Sequence, residues 1–321
     1  MQEINKILCV VDPTTSVQPA VHRAAWLAQQ VNAELELFIC YYNEYLSGER
    51  FLDAPSLKKA RHDVVKRNTE YLEKLAEPLR SAGLTVQTTV TWDHPLHEGI
   101  VRQAIRSGAD IVFKDTHHHS AMERALLTNT DWNLIRTCPA PLWLTKAREL
   151  HKTPTFVASI DPTHEHDKPA SLDDTILKLA SNLASKTNGS MHAFHSYDPR
   201  IALATATANS YIPASLPYEE IEKDMRELHG RRFDEVTDFY DIPEDHKHLI
   251  NGATHEELPD IARKLNADFI VMGAIARNRW KRLFVGATAE RTLEHVPCDV
   301  LIVKPDWFET PVEKTGDEAV A

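Results

Sequence analysis

The chain has 321 residues, of which 42% are apolar and 26% are charged, and these values are typical of a globular protein rather than a disordered or fibrous one. The formal net charge is −11 at pH 7, and because an acidic surface repels phosphate backbones, no binding to nucleic acid is expected. No apolar run reaches the roughly 18–20 residues that a membrane helix needs, so no membrane association is predicted.

The amino-terminal sequence predicts no export. MQEINKILCVVD lacks the charged start, long apolar stretch and small-residue cleavage site of a signal peptide. The four cysteines (Cys9, Cys40, Cys138 and Cys298) are far apart and form no CxxC pair. Cys9 and Cys40 fall within apolar runs, where a buried free thiol is the usual state. We therefore expect a cytoplasmic protein.

Strand and helix signals alternate along the first half of the chain. The continuous apolar run Ile7–Val11 is typical of a strand buried on both faces. Apolar residues at helical spacing follow over 19–31. Later strands are predicted over 35–39, 85–92, 111–113 and 142–144, and later helices over 56–81, 100–105 and 126–135. This alternation favours parallel strands joined by right-handed helical crossovers.

The second half repeats the first. Ala109 and Asp110 precede IVFKD, and 158 residues later Ala267 and Asp268 precede FIVMG. The same offset aligns TCPAPLWLTK with HVPCDVLIVK, and CVVDP matches ASIDP at an offset of 149. The chain is therefore interpreted as a duplicated α/β unit, each copy a flavodoxin-like (Rossmann-like) five-stranded parallel sheet with helices on both faces. Domains are predicted over 1–148 and 153–306, followed by a tail over 307–321.

An acid follows the first strand of each unit, as Asp12-Pro13 and as Asp161-Pro162-Thr163. Ligands of open parallel sheets bind beyond the carboxyl ends of the strands, where strand order reverses. A carboxylate at that place can accept hydrogen bonds from a sugar hydroxyl or a base amine. The alternative is a turn or helix-cap role.

A basic run follows the late strand of the second unit. Gly273 ends that strand, Gly286 precedes a helix, and four cations lie between them: Arg277, Arg279, Lys281 and Arg282. Free N–H groups at a helix start favour anions, and glycine lets a phosphate approach closely. A solvated or salt-bridged basic loop is the alternative.

These motifs resemble the universal stress protein family. The order of VDP after the first strand, VMG at the end of a late strand, GATAE and PCDVLIVK is similar to that of the family, and it covers roughly residues 3–312. Two copies in one chain, with TNTDW in the first and GATAE in the second, resemble the tandem type. The resemblance implies that the two domains pair through their last strands, and it leaves a homodimer possible.

The resemblance also implies a nucleotide pocket in the second unit. Nucleotide-binding members carry Gly-x2-Gly-x9-Gly followed by Ser or Thr, and this pattern falls on Gly273, Ala276, Gly286 and Ala287. The second glycine and the hydroxyl are thus replaced by alanines, which puts the affinity for ATP in doubt. The residues implied to contact ATP or a related nucleotide are Asp161, Pro162, Thr163, Gly252, Met272, Gly273, Ala276, Arg277, Gly286, Ala287 and Thr288.

The first unit departs from this pattern completely. Its matching positions are Asp115, His118 and Thr128, and none is a glycine. Asp115 would place a carboxylate beside the phosphates. We therefore expect no nucleotide at this place in the first unit.

Histidine clusters are the candidates for metal binding. His164 and His166 would face the same way in an extended segment just after Asp161, whereas an exposed polar loop is the plainer interpretation. His117, His118 and His119 are adjacent, and three adjacent residues cannot readily ligate one tetrahedral ion. His192 and His195 should point to opposite faces of one strand, which argues against a shared metal. No metal is expected, with His164 and His166 as weak candidates.

No catalytic set is recognisable in the sequence. GxSxG, HExxH and GxxxxGK[ST] are absent. We therefore expect a stress-response binding protein with at most one nucleotide-type ligand, held in the second domain, rather than an enzyme.

One alternative is another small ligand, such as a nucleotide-sugar or an apolar-tailed metabolite. It is suggested by the apolar segment 201–218, which is either a lid or a connection packed on the core. A slow or zinc-assisted nucleotide hydrolase is the other alternative.

Overall fold

A computed structural model describes residues 3–46, 54–118, 125–163, 170–200, 218–274 and 287–314. The chain divides into two compact units. The first extends to Arg148 and also includes the residues from Trp307 onwards, and the second spans Glu149–Asp306.

The first unit is a parallel five-stranded sheet with crossover helices. Its strands lie in the order β7-β4-β1-β2-β3. The strands of this sheet are β1 (Lys6–Val10), β2 (Glu34–Tyr41), β3 (Val86–Trp92), β4 (Ile111–Asp115) and β7 (Leu142–Thr145). The helices are α1 (Pro19–Val31), α2 (Ala54–Ser81), α3 (Leu96–Ser107) and α4 (Asn129–Thr137). Between β4 and α4, β5 (His117–His118) and β6 (Ala125–Leu126) form a short antiparallel pair.

The second unit repeats this architecture in the order β10-β9-β8-β11-β12, again with parallel neighbours. Its strands are β8 (Thr155–Ser159), β9 (Ser190–Tyr197), β10 (Lys247–Asn251), β11 (Phe269–Gly273) and β12 (Asp299–Val303). Its helices are α5 (Ala170–Lys186), α6 (Tyr218–Asp238), α7 (Thr254–Lys264) and α8 (Ala287–His295), and a 3₁₀ turn over Glu244–His246 leads into β10. The predicted α/β class, with two Rossmann-like units, is confirmed.

Burial and chain direction explain this layering. The central strands are apolar on both faces, as in the fully buried run Ile7, Leu8 and Cys9. Right-handed crossovers place the first two helices of each unit over one face of its sheet. Because strand order then reverses, the last two helices cover the opposite face. Each unit therefore has a core on both sides of its sheet.

The aspartate of the repeated Ala-Asp pair accepts main-chain hydrogen bonds in the same way in both units. Asp110 Oδ2 accepts hydrogen bonds from the main-chain N–H groups of Asn5 (2.8 Å) and Lys6 (2.9 Å). Asp268 accepts from the N–H groups of His151 (3.1 Å) and Thr155 (3.0 Å). In each unit this carboxylate joins the start of the fourth strand to the segment that enters the first one.

Candidate ligand site

The predicted pocket residues lie at the point where strand order reverses in the second unit. From β8 the chain continues to β9 on one side, while β11 lies on the other side. Asp161 follows β8, and Gly273 ends β11. These two residues therefore flank the place where open α/β sheets bind ligands. Gly252 follows β10, two strands farther along the same edge.

Asp161 is held in a local turn and tied to the following helix. The Thr163 hydroxyl donates to Asp161 Oδ1 (3.0 Å), and the Asp161 N–H donates to Asp173 Oδ1 (3.1 Å). Asp173 is only 2% exposed, whereas Asp161 is half-buried and Pro162 is buried. The turn role considered for Asp161 is therefore real. Its role toward a ligand stays a prediction.

The first unit builds the same turn around Asp12. Asp12 Oδ1 accepts from the main-chain N–H of Thr14 (2.8 Å) and from the Thr14 hydroxyl (2.6 Å). Gln18 Nε2 donates to the Asp12 carbonyl (2.6 Å) and to the Thr15 carbonyl (3.0 Å). The repeated Asp-Pro-Thr sequence thus specifies one turn geometry in both units.

Two glycines of the predicted pocket are explained by close packing. A Cβ on Gly273 would lie 2.6 Å from Leu172 Cδ2, because α5 packs directly over the end of β11. The following N–H, of Ala274, donates to the Val303 carbonyl (3.0 Å), and the preceding Met272 is 7% exposed. At Gly252 a Cβ would collide with the Glu257 carboxyl in the first turns of α7.

Part of the predicted phosphate loop is not covered by the structure. Ala276, Arg277 and Gly286, the cations Arg279, Lys281 and Arg282, the candidate ligands His164 and His166, and segment 201–217 lie outside the described residues. Helix α8 begins at Ala287. Thr288 therefore lies in the first helical turn, as an anion contact at a helix start requires.

Carboxylates occupy the corresponding places in the first unit. Asp115, at the position of Gly273, accepts a hydrogen bond from the main-chain N–H of Ala20 (2.6 Å) in the first turn of α1. Thr128, at the position of Gly286, is the N-cap of α4 and forms a reciprocal capping box with Asp131. Asp131 is fully buried, and its second oxygen lies 2.6 Å from Lys114 Nζ. At each of these two helix starts a protein carboxylate thus accepts a main-chain N–H.

Histidines of the second unit meet in two groups, one on each face of β9. His195 Nε2 lies 2.7 Å from His229 Nδ1, and His195 Nδ1 lies 3.1 Å from the Ile160 carbonyl, next to Asp161. On the other face His192 Nδ1 lies 3.0 Å from His248 Nε2. The prediction that His192 and His195 face opposite ways is confirmed. Sequence reasoning missed their partners, because these lie on other elements and no sequence signal connects them.

No described group points to metal or thiol chemistry. Across the described ranges, no set of three or more His, Cys, Asp or Glu side chains is arranged to hold a metal ion. None of the four cysteines forms a disulfide bond. Burial, and then the Asp115 charge, raises the pKa of Cys9 well above its ordinary value, and burial with Asp93 raises that of Cys40 to about 12. These two thiols stay protonated at neutral pH and are poor nucleophiles.

The parallel sheets, each with an Asp-Pro-Thr turn at its switch point, define a protein made of two Rossmann-like α/β units. The universal stress protein family model matches residues 3–146 and 167–304. The chain therefore belongs to the universal stress protein family, as its motifs predicted, with two tandem domains of that family.

Relatives of the same two-domain length are similar over nearly the whole chain. Universal stress protein E of Escherichia coli K12 is 28% identical over 319 residues, which is 99% of each chain. Its homologue from Haemophilus influenzae is 21% identical over 94% of this chain and 98% of its own. A functionally unknown protein from Pseudomonas aeruginosa PAO1 has the same fold, with a TM-score of 0.66 and 24% identity over 94% of this chain and 93% of its own. In the parts of the chain that the structure describes, no helix has the length and hydropathy of a membrane span.

Proposed function

We propose that the protein is a non-enzymatic binding protein that takes at most one nucleotide-type ligand, at the carboxyl edge of the second unit. The observation that carries the proposal is the difference between the two repeats. In the first unit the carboxylates of Asp115 and Asp131 each accept a main-chain N–H at a helix start, and the second unit has no acid at the corresponding positions 273, 286 and 289.

Electrostatics makes the first unit a poor site for phosphate. An entering phosphate would meet the carboxylates of Asp115 and Asp131, and like charges about 4 Å apart repel by roughly 4 kcal/mol near a protein surface. It would also have to displace Asp131 from Lys114 and from the Thr128 N–H, which lies 2.6 Å from Asp131 Oδ2. The first unit therefore serves packing, regulation or contact with partners.

The second unit offers the complementary set of groups. Asp161 presents a half-buried carboxylate to hydroxyl or amine donors. Arg277, Arg279, Lys281 and Arg282 supply positive charge in the sequence between Gly273 and Gly286. The alanines at 276 and 287 remove one flexible glycine and one hydroxyl, so we expect weaker ATP binding than in relatives that keep both.

The same alanines, together with the apolar segment 201–218, favour a second candidate ligand. This would be a nucleotide-sugar or a metabolite with an apolar tail, held by the same edge.

A zinc-assisted hydrolase would depend on His164 and His166. Four cysteines without a disulfide bond fit a reducing compartment, and we place the protein in the cytoplasm.

A pair of matched variants tests the proposal. Asp161→Asn in the second unit should weaken binding of Mg-ATP at least 10-fold in titration calorimetry. Asp12→Asn, in the equivalent turn of the first unit, should leave affinity unchanged. Stoichiometry should be one ligand per chain, and urea unfolding of both variants controls for loss of fold. Two equivalent sites, or equal losses in the two variants, would overturn the proposal.

A parallel measurement identifies the ligand class. Native mass spectrometry of protein taken directly from cells gives the mass of any retained molecule. A retained nucleotide-sugar or lipid-tailed species, lost in Asp161→Asn but kept in Asp12→Asn, would favour the second candidate at the same edge. Unchanged nucleotide turnover in a chelator would remove the zinc hydrolase.

A further inference from the structure

Three imidazoles lie together on one face of the second sheet. His192 belongs to β9, His246 to the 3₁₀ turn before β10, and His248 to β10 itself. The ring centre of His192 lies 3.9 Å from that of His246 and 5.3 Å from that of His248. We refer to these three residues as the histidine cluster.

Hydrogen bonding defines the protonation state that this geometry requires. His246 Nδ1 lies 2.9 Å from the Met191 carbonyl, which can only accept, so this nitrogen carries a proton. His192 Nδ1 and His248 Nε2 are 3.0 Å apart, so one of them donates and the other must be bare. If both rings are charged, every ring nitrogen carries a proton and this hydrogen bond cannot exist.

The surroundings of the cluster oppose positive charge. His192 is 9% exposed, and burial, followed by the charges of His246 and His248, lowers its pKa to about 4. Burial, then His246 and Lys264 of α7, also lowers the pKa of His248. Asp245 in the 3₁₀ turn is the one acidic group acting on both rings among the described residues, and it opposes the shift only in part.

The cluster joins a terminal strand to the rest of its unit. Strand β10 ends the strand order of the second unit, and β9 is its strand partner in the described part of the chain. Two of the three rings belong to β10 and its entering turn. Lys247, which lies between His246 and His248 in sequence, pairs with the exposed carboxylates of Asp238 (2.6 Å) and Glu244 (3.2 Å).

We propose that the histidine cluster makes the attachment of β10 to β9 acid-sensitive, so that proton uptake releases β10 and its entering turn while the remainder of the second unit stays folded. The neutral cluster holds the two strands through the His192–His248 hydrogen bond and ring stacking. Protonation of both His192 and His248 removes the bare nitrogen that this bond needs and places positive rings against one another. The device responds to protons alone and does not depend on the ligand of the neighbouring edge.

The direction of the pH effect follows from linkage. An exposed histidine titrates near pH 6.5, and His192 in the closed state titrates at about 4. Between these values the open state binds more protons, so opening becomes more favourable as pH falls. For His192 alone, the equilibrium constant for opening should rise about 30-fold between pH 7.5 and pH 5.

Amide hydrogen exchange at pH 7.5 and pH 5, corrected for the intrinsic rates, tests this device. Protection of 247–251 should fall about 30-fold at pH 5, while protection of β11 changes by less than 3-fold. The variant His192→Asn/His248→Gln replaces both bonded nitrogens with amide groups that do not titrate, and it should lose the pH response of β10. His295→Asn, an exposed histidine of α8, is the matched control and should keep the response.

A second measurement keeps the test independent of the variants. The ring protons of His192, followed by nuclear magnetic resonance in the unmodified chain, should titrate near pH 4 and shift together with the signals of β10. Titration of His192 near 6.5, equal loss of protection in β10 and β11, or a folded double variant that keeps the response would each overturn the proposal.

Discussion

Gly273 and Asp115 occupy the same position in the two repeats, and each is fixed by the helix that packs over it. In the second unit Leu172 and Ile176 of α5 fill the space above Gly273, so no side chain fits there. In the first unit the Asp115 carboxylate reaches the main-chain N–H of Ala20 at the start of α1. The first repeat therefore has Asp115 where the second has Gly273, and the Asp115 side chain bonds to the start of the helix that packs over it.

This packing predicts the effect of Gly273→Ala. The new Cβ would lie 2.6 Å from Leu172 Cδ2 and 3.0 Å from Leu172 Cγ, and Leu172 is fully buried. Because overpacking of a dense core costs about 1–3 kcal/mol, we expect the free energy of unfolding in urea to fall by that amount. Adding Leu172→Ala should make the combined loss smaller than the sum of the two single losses. Strictly additive losses would contradict the contact.

The start of helix α4 shows how one carboxylate can organise an element. Asp131 Oδ2 accepts from the Thr128 N–H (2.6 Å) and hydroxyl (2.8 Å), and its other oxygen lies 2.6 Å from Lys114 Nζ on β4. The pair is buried, with 0% and 13% of the two side chains exposed. A cap and a buried ion pair therefore share one residue.

Asp131→Ala should accordingly be strongly destabilising. Loss of the cap costs about 1 kcal/mol. Removal of the carboxylate also leaves the half-buried Lys114 ammonium without its ion-pair partner, with its bond to the Asp115 carbonyl (3.1 Å) remaining, for a total of roughly 2–4 kcal/mol. Asp260→Ala is the control, because it removes only an exposed pair with Arg263 in α7 and should cost less than about 1 kcal/mol. Urea unfolding compares the two, and similar small losses would show that Asp131 does not act as described.

The order of the elements was predictable from sequence, whereas their tertiary partners were not. The apolar run at Ile7 and the helical spacing after Pro19 each reflect burial within one element, so a local pattern reports them. Gly273 was expected to end a strand, and it does. The Asp115–Ala20 bond joins residues 95 positions apart, and no periodicity in the sequence encodes such a contact.

At the scale of the whole molecule, the sequence predicted where the candidate site lies but not the side-chain contacts around it. The repeat and the switch-point rule placed Asp161 and Gly273 at one edge. They could not show that Gly273 is required by Leu172, or that Asp131 neutralises Lys114 in the other unit, because both facts depend on side chains packing in three dimensions. The His192–His248 and His195–His229 pairs are further examples, with partners 56 and 34 residues apart.

The chain also returns to its first unit after completing the second. Residues from Trp307 onwards belong to the first compact unit, where the Thr310 hydroxyl donates to the Thr137 carbonyl (2.6 Å) at the end of α4 and Val312 is 7% exposed. The first unit is therefore complete only when the carboxyl-terminal segment is present. Sequence periodicity gives no sign of this, since the segment has no repeated apolar spacing.

Deletion of residues 307–321 should consequently weaken the first unit, although the deleted segment follows the second in sequence. Loss of the buried Val312 side chain and of the Thr310 hydrogen bond should cost about 2–4 kcal/mol. Amide exchange should accelerate in α4 far more than in α8, because Thr137, which loses its bond to Thr310, ends α4. A chain ending at Lys314 retains both contacts and serves as the control. If exchange in α4 were equal in the two shortened chains, the segment would have no stabilising role, and the first unit would fold from residues 1–148 alone.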